Sequence, residues 1–178
     1  MKKVIVLLFM VLSLVGCNLS NTPSNEVEKY LDSFNNLTDE VLIDIDNKVS
    51  TEELSSENKE IYKKVLLRQY ENMKYEIKDE SIEKDSAIVK VNLTVFNYYR
   101  VNDISNTYMN EHVDEFNNIN GIFDNDKYNT YRLDNLLKTN DTTTYEVTFN
   151  LKKDTNGNWI LSNPSREVLE KLNGFYIN

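Results

Sequence analysis

The side chains best suited to nucleophilic, acid–base or metal chemistry are scarce in this sequence. Its 178 residues include one cysteine, Cys17, and one histidine, His112. A cysteine–histidine dyad needs both groups in one site, and zinc is held mainly by several such nitrogen and sulfur ligands. The sequence therefore predicts neither centre. We interpret His112, on the flank of a predicted helix beside Tyr108 and Phe116, as a partly buried structural residue.

Clustered carboxylates are the other chemical candidates, because calcium prefers several oxygen ligands. Asp44 and Asp46 are two residues apart on a predicted helix, so they point in different directions and indicate a solvated face. The acidic run at 124–126 lacks the glycine that a calcium-binding helix-loop-helix needs at its sixth position. The 154–158 segment carries Gly157 at the wrong place in that pattern. No metal ligand is therefore predicted.

The sequence predicts no nucleotide cofactor, but it leaves open whether two adjacent tyrosines bind a ligand. The chain has four glycines and no glycine-rich loop to cradle a nucleotide phosphate, so no cofactor is predicted. Of the eleven tyrosines, Tyr98 and Tyr99 precede a region, 102–139, whose arrangement the pattern leaves open. A phenol there could hydrogen-bond a ligand while its ring packs against apolar groups. No acid aligns with either tyrosine, so we favour a core role and predict no catalytic residue.

The first residues have the pattern of an export signal. Lys2 and Lys3 precede an apolar run at 4–15 that only Ser13 interrupts. A membrane-spanning helix needs about 20 apolar residues, so this run is short for a span. The segment Leu14-Val15-Gly16-Cys17 resembles the lipobox of bacterial lipoproteins.

That resemblance implies cleavage before Cys17 and attachment of lipid, including acyl chains such as palmitate, to its sulfur. The mature chain would then be held at the cell membrane, on the extracytoplasmic face of the envelope. Two or three acyl chains anchor a protein firmly, whereas one chain holds it only marginally. The alternative is an ordinary signal peptide followed by a chance cysteine. We expect Cys17 to be the lipidation site and 17–24 to be a lipidated tether.

Charge and cysteine content limit the partners of the mature chain. Without residues 1–16 it loses Lys2 and Lys3 from its 20 basic residues, which leaves 18 against 29 acidic residues, a formal charge of −11. Such a surface is repelled by nucleic-acid phosphates, so nucleic-acid binding is not expected. No second cysteine is present for a disulfide. The expected partners are the membrane, through Cys17, and a small ligand or an envelope protein; no feature predicts an oligomeric state.

Apolar spacings of three and four predict two consecutive N-terminal helices. The first, with Asn25 as its cap, carries Val27, Leu31, Phe34, Leu37, Val41, Ile45 and Val49. The second begins near Glu57 and carries Ile61, Val65, Leu66, Tyr70 and Met73. In the 102–139 region, one predicted helix carries Ile104, Tyr108, Met109, Val113 and Phe116, and another carries Tyr128, Leu133, Leu136 and Leu137. These two helices are interpreted as an insertion that can form a lid.

Alternating apolar and polar residues predict two β-hairpins. Tyr75 and Ile77 lie on one strand, and a turn at 83–85 leads to a strand with alternating apolar residues from Ala87 to Val95. A third strand covers 143–151, and the Asn156-Gly157 pair predicts a tight turn to a strand beginning at Trp159. A last short helix is predicted with Asn163 as its cap, Pro164 at its first position and Gly174 at its end.

These elements predict an α+β fold, with two N-terminal helices packed on a curved antiparallel sheet of about four strands, a helical insertion and a short C-terminal helix. The expected division is a signal peptide at 1–16, the tether at 17–24 and one domain at 25–178. The element order and the turn before Trp159 resemble the nuclear transport factor two-like domains found in lipoproteins of Gram-positive bacteria. The resemblance covers roughly 25–161, and it implies a cone whose mouth binds a small molecule in some members.

Two functions from different classes follow. The absence of catalytic residues favours a membrane-anchored lipoprotein that serves as a binding or accessory module at the cell envelope. The alternative is a small lipid-anchored enzyme of isomerase or hydrolase type, since enzymes of the resembled superfamily pair an acid with a tyrosine. It requires a pocket under the 102–139 insertion, with a buried carboxylate near Tyr98, Tyr99 or His112. A purely structural lipoprotein is a third interpretation.

Overall fold

A computed structural model describes residues 21–177, which form six α-helices, one 3-10 helix and a four-stranded antiparallel sheet. The α-helices are α1 (Pro23–Asn35), α2 (Asp39–Thr51), α3 (Ser56–Asn72), α4 (Tyr98–Glu111), α5 (Asn125–Lys138) and α6 (Arg166–Leu172), and the 3-10 helix is Val113–Phe116. The strands are β1 (Lys74–Glu83), β2 (Ser86–Phe96), β3 (Thr142–Lys153) and β4 (Trp159–Leu161). The predicted α+β class, with a curved sheet, a helical insertion and a short C-terminal helix, is confirmed.

The sheet has the strand order β1-β2-β3-β4, and the two predicted hairpins supply its outer pairs. In β2 and β3 the apolar residues of the alternating pattern share one buried face, with Val91 opposite Val147 and Leu93 opposite Tyr145. Helices α1 and α6 cover this face with Val27, Leu31, Val168 and Leu172, and together these side chains form the sheet core. Burial of one face explains why the period of two was visible in the sequence.

A second cluster, the helix core, lies among α2, α3 and α5 together with Tyr98. The insertion packs on α3, where Asn58 Nδ2 donates a hydrogen bond to the Asp126 carbonyl (3.0 Å) and Thr130 Oγ1 donates to Asn58 Oδ1 (2.9 Å). On the sheet's outer face, Lys90, Glu146 and Thr148 are exposed. The insertion therefore extends the helical layer and does not cover the sheet.

The N-terminal helical segment is three helices, where the sequence predicted two. After α1 the chain turns at Leu37, whose φ of 47° lies in the left-handed region. The Leu37 amide donates to the Phe34 carbonyl and the Thr38 amide donates to the Ser33 carbonyl, both at 3.1 Å. This is the Schellman pattern, which usually carries glycine at the left-handed position. A leucine there continues the apolar spacing across the break, which is why the sequence suggested one long helix.

Three local predictions are also corrected. Helix α1 is capped by the Thr22 side chain, with Pro23 in its first turn, so Asn25 is not the cap. Helix α6 is capped by Ser165, and neither Asn163 nor Pro164 begins it. In each case a hydroxyl oxygen accepts from an amide near the start of the helix, which satisfies one of its free donors. In the insertion, the predicted burial of Leu133 and Leu136 on α5 is confirmed, whereas the predicted apolar face of α4 is wrong, because this helix buries Tyr98 and Ser105 and leaves Ile104 exposed.

The first turn of α1 is fixed at the end of the sheet where both hairpins turn. The Asn21 side chain accepts a hydrogen bond from the Trp159 amide of β4. Ser24 donates from its amide (2.8 Å) and its hydroxyl (2.6 Å) to Glu80 of β1. At the other end of α1, Asn35 donates to two carbonyls at the α3–β1 junction, both at 2.8 Å. Helix α1 therefore runs from the hairpin turns toward the helix core.

Candidate ligand-binding groove

A cavity of about 630 Å³ lies beside the turn between α1 and α2, and we call it the helical groove. It is lined by Tyr30, Ser33 and Phe34 of α1, by Thr38, Glu40, Val41, Asp44, Ile45 and Lys48 of α2 and its cap, by Tyr70 of α3, and by Leu169 and Asn173 at α6. Half of these residues are apolar or aromatic, and most of the atoms that face the cavity are apolar. The groove was not predicted, since the sequence pointed to the cone mouth, the sheet face or the insertion.

Three aromatic rings, with Val41, Ile45 and Leu169, form the apolar part of the groove. Tyr30 and Phe34 pack edge to face with ring centroids 5.1 Å apart, and Phe34 packs in the same way on Tyr70 at 4.9 Å. Tyr30 also contacts Phe149 of β3 at 5.8 Å. Phe34 contacts both the sheet core and the helix core. The rings are thus held in place by the side chains packed behind them, which fixes the aromatic wall of the groove.

The two phenol groups of the groove differ in their hydrogen bonding. Tyr70 donates to Asn173 Oδ1 at 2.8 Å. The Tyr30 hydroxyl has no hydrogen-bond partner among residues 21–177. Burial, with a smaller contribution from the Asp44 carboxylate, raises the pKa of Tyr30 to about 12. At neutral pH Tyr30 is therefore protonated and free to donate a hydrogen bond to a ligand.

Lys48 is the half-buried charge of the groove. No carboxylate of the described residues lies within the 4.0 Å of an ion pair with its ammonium. Burial lowers the pKa of Lys48, and the Glu52 carboxylate opposes that effect in part. Glu40 and Asp44 also line the groove, but both are exposed. The groove therefore places an unpaired cation in an apolar wall and two solvated carboxylates at its rim.

The predicted lipidation site, Cys17, lies outside the described residues, as do the lipobox and the proposed signal segment. None of the helices in the described range, 21–177, is long and apolar enough to cross a membrane. Membrane attachment therefore stays a prediction from residues 1–17.

His112 is not the partly buried helix-flank residue that the sequence suggested. It is exposed at the C-cap of α4, where its ring stacks on Tyr108 with centroids 4.1 Å apart. Its Nδ1 lies 3.0 Å from the Tyr108 carbonyl oxygen. Helix α4 ends one residue before His112, so the side chain leaves the helical stripe and faces solvent.

Tyr98 is a core residue, as the favoured interpretation held. It is fully buried, and its hydroxyl donates to the Val65 carbonyl at 3.1 Å. Tyr99 is exposed. At the insertion there is a smaller depression of about 220 Å³, lined by Glu52, Leu54, Tyr62, Asn102, Arg132 and Phe175. Its lining includes neither tyrosine of the pair nor His112, so the residues that the enzyme alternative required are not brought together.

The acidic segments have structural roles. Asp124 caps α5 by accepting from the amides of Asp126 and Lys127. Asp154 accepts from the amides of Asn156 and Asn158, both at 2.8 Å, and the Asn158 amide is the main reason that the pKa of Asp154 is lowered. Within residues 21–177 no group of three histidine, cysteine or acidic side chains is placed to hold a metal ion.

The sequence did not identify Asp44 and Lys48 as groove residues, because both lie on what looks like the solvated flank of an amphipathic helix. Asp44 was interpreted as part of a solvated face, and Lys48 was not singled out. The available signal was their spacing: Asp44 and Lys48 are four residues apart, beside the buried stripe of Val41, Ile45 and Val49. Only the assembled structure, in which α2 packs on α3 and shares the groove with residues of α1 and α6, shows that this flank borders a cavity.

Comparison with known proteins gives little further information. No family model matches the sequence. No curated protein matches it either. Among solved structures, the chain is similar to a crystal structure of a candidate lipoprotein, YcdA, from Bacillus subtilis, with 18% identity and a TM-score of 0.40. The match covers 83% of this chain and 46% of the other, so the chain spans about half the length of that protein. The nuclear transport factor two-like resemblance stays a prediction.

Proposed function

We propose that this protein is an exported lipoprotein, anchored through lipid on Cys17 to the extracytoplasmic face of the cell membrane, whose domain binds a small amphipathic molecule in the helical groove. The observation that carries the binding role is an aromatic cavity bordered by the Tyr30 hydroxyl and the Lys48 ammonium, neither of which has a partner within residues 21–177. Its volume, about 630 Å³, is within the range of small-molecule sites. A few polar groups in an apolar lining are typical of such sites.

The anchor is tested with Cys17→Ser. Without the thiol, lipid transfer cannot occur, so we expect an uncut precursor or a protein released to the medium. Metabolic labelling with palmitate and cell fractionation measure both outcomes, and Ser13→Ala, in the same segment, is the matched control. A Cys17→Ser protein that is cut and retained at the membrane like its parent would show that Cys17 is not the anchor.

Groove binding is tested with decanol as a neutral amphiphile and a variant that fills the cavity. Ser33 lines the groove, and its hydroxyl donates to a carbonyl three residues earlier at 2.6 Å. Ser50 makes the same contact at 2.7 Å on the exposed side of α2. We expect Ser33→Phe to abolish decanol binding in calorimetry and Ser50→Phe to preserve it. Equal binding by both variants would place the decanol elsewhere.

A second candidate function, docking of an envelope protein, is favoured by the turn at the tip of the insertion. Ile119 is 100% exposed and Ile122 is 63% exposed, although the turn is ordered by Asn118, whose side chain accepts from two amides within it. Asp114 and Glu115 are exposed beside it, and Asp124 is half-buried. An apolar tip with an acidic rim fits a protein pocket ringed by lysine or arginine, and it is repelled by anionic lipid.

This second function is tested by photo-crosslinking in cells. A crosslinking residue at Ile119 should give a discrete protein adduct that weakens when Asp114→Asn and Glu115→Gln are combined, since the rim charge assists docking. The same residue at Ile43, which is 59% exposed on α2, is the control. Identical adducts from both positions, or binding of the tip to vesicles of anionic lipid, would contradict a specific protein contact.

A further inference from the structure

Lys48 distinguishes the helical groove from a merely apolar depression. An ammonium in water keeps its hydration shell, whereas this one is half-buried against apolar groups and lacks an ion-pair partner among the described residues. Burying a charge without a partner is unfavourable. A ligand that supplies an anionic oxygen at Lys48 removes that cost.

The two carboxylates of the groove lie in a different environment. Glu40 and Asp44 are exposed at the rim, so water solvates them in the free protein and neither requires a ligand. Both are close enough to the groove to repel negative charge, and Asp44 acts electrostatically on Tyr30. The groove should therefore prefer a ligand with one negative charge, which neutralises the Lys48 ammonium and adds no further charge near Glu40 and Asp44.

We propose that the helical groove recognises a single-chain carboxylate, with the chain packed along Tyr30, Phe34 and Tyr70 and the carboxylate at the Lys48 ammonium. This inference rests on the proposed binding role of the groove. One negative charge balances one ammonium, whereas a phosphate headgroup brings surplus charge toward Glu40 and Asp44. Tyr30 lines the same groove, and its hydroxyl, which has no hydrogen-bond partner among residues 21–177, is a neutral donor that can orient the polar end of the ligand.

The proposal predicts opposite effects from two substitutions on the same helix. Lys48→Gln should weaken decanoate binding about tenfold, because it removes the cation that meets the carboxylate. Asp44→Asn should strengthen it several-fold, because it removes a repulsive charge from the rim. Lys64→Gln, an exposed lysine on α3, changes the net charge equally and should leave the affinity unchanged. Folding of each variant is checked by circular dichroism.

The experiment titrates four probes of equal chain length into the parent protein and these variants, below their micelle-forming concentrations. The probes are decanoate, decyl phosphate, decyltrimethylammonium and decanol, followed by calorimetry. We expect decanoate to bind most tightly, and Lys48→Gln to weaken decanoate binding far more than decanol binding. Because deprotonation of Lys48 removes its charge, decanoate affinity should also fall at alkaline pH in the parent and change less in Lys48→Gln.

The possible failures are distinguishable. If none of the four probes binds, both the binding role of the groove and this inference are wrong. If decanol binds but decanoate is no tighter, or if Lys48→Gln has no effect on decanoate, the groove binds ligands and the carboxylate assignment is wrong. If decyltrimethylammonium binds more tightly than decanoate and Asp44→Asn weakens its binding, the ligand of the groove is a cation and the proposal is wrong. If decyl phosphate binds most tightly, the ligand is a phosphate and the carboxylate assignment is wrong.

Discussion

At the scale of single residues, Gln69 makes the polar connection between three elements inside the protein. It is fully buried on α3, and its Nε2 donates to the Leu172 carbonyl of α6 at 3.2 Å. Its Oε1 accepts from the Phe96 amide at the end of β2 at 3.0 Å. A buried amide with both ends paired is worth more in specifying an arrangement than in net stability, because its partners are costly to leave unpaired.

Replacing Gln69 with leucine preserves the size of the side chain and removes both hydrogen bonds. The Phe96 amide and the Leu172 carbonyl would then be buried without partners, so we expect the free energy of unfolding to fall by about 2 to 4 kcal/mol. Asn72→Leu, an exposed amide on the same helix, is the control and should change it by less than about 1 kcal/mol. Urea unfolding measures both. Equal effects would mean that the Gln69 hydrogen bonds contribute no more to the free energy of unfolding than an exposed amide does.

Ionisation of the Tyr98 phenol makes the free energy of unfolding depend on pH in the alkaline range. Burial raises its pKa to about 12, above the ordinary value of 10.0, while the nearby Arg68 opposes the shift. A raised folded-state pKa adds stability that is complete below the unfolded pKa and is lost as pH rises through the folded pKa. The window is therefore pH 10 to about 12.

We expect the parent to lose about 1 kcal/mol more than Tyr98→Phe between pH 8 and pH 11, from the contribution of this one phenol. Both proteins also contain Tyr30 and Tyr62, whose pKa values burial likewise raises to about 12, so these cancel in the comparison. Urea unfolding at the two pH values measures the difference. Parallel losses in the two proteins would show that Tyr98 is not protected from ionisation by the fold.

At the scale of elements, the end of α6 is held by a glycine in close contact. Gly174 has a φ of +75° and completes a Schellman turn, its amide donating to the Lys171 carbonyl at 3.0 Å. A Cβ added there would lie 2.2 Å from the Phe96 carbonyl oxygen and 2.5 Å from Gln69 Nε2. Gly157, in the β3–β4 turn, has a φ of +84°, and a Cβ there would meet nothing within 4 Å. Both glycines thus have a left-handed backbone that other residues adopt only with strain. They differ in that only Gly174 lacks room for a side chain.

Alanine at these two positions separates the conformational cost from the steric cost. Gly157→Ala should lower the free energy of unfolding by about 1 to 2 kcal/mol, the cost of a left-handed non-glycine residue. Gly174→Ala should cost several kcal/mol, since it also pushes against the backbone of β2 and the Gln69 contacts. Thermal and urea unfolding measure both variants. A Gly174→Ala effect no larger than that of Gly157→Ala would mean that α6 can move away without loss.

How far an element could be predicted depended on whether its signal was local. The β2 and β3 strands were predicted because apolar and polar residues alternate along each of them. The Asn156-Gly157 turn was predicted because this adjacent pair favours a tight turn. The α1–α2 break was not, because Leu37 provides an apolar side chain at a position where glycine marks most such turns. The groove could not be predicted at all, since Tyr30 and Lys48 become neighbours of one cavity only when α1, α2, α3 and α6 are assembled.

At the scale of the whole molecule, Phe34 joins the two cores. It packs against the sheet core through Tyr30 and against the helix core through Tyr70, at 5.1 and 4.9 Å between ring centroids. The single tryptophan, Trp159, lies in the sheet core, whereas most helical signal comes from the other layer. Fluorescence and far-ultraviolet circular dichroism therefore report different halves of the molecule.

We expect the two signals to unfold together in the parent and to separate in Phe34→Ala, because removal of the shared ring weakens the coupling between cores. Phe123→Ala, at the insertion tip, is the control and should keep the transitions coincident even if it lowers their midpoint. Urea titration followed by both signals is the measurement. Coincident transitions in Phe34→Ala would show that other contacts are sufficient to couple the layers.

The contacts of Asn21 and Ser24 at the start of α1 bear on where a ligand comes from. With Cys17 in the membrane as proposed, the four steps from Cys17 to Asn21 span at most about 14 Å, and Tyr30 lies about 14 Å further on, at 1.5 Å per residue. When the tether is extended and α1 is directed away from the membrane, the groove is set off from the headgroups, and its ligand crosses water to reach it. Leaving a bilayer costs about 0.8 kcal/mol per methylene, roughly 8 kcal/mol for a ten-carbon chain and more than 20 kcal/mol for a two-chain lipid. In that orientation the separation selects molecules that partition measurably into water, and monomer solubility, as much as groove shape, determines what the protein can bind.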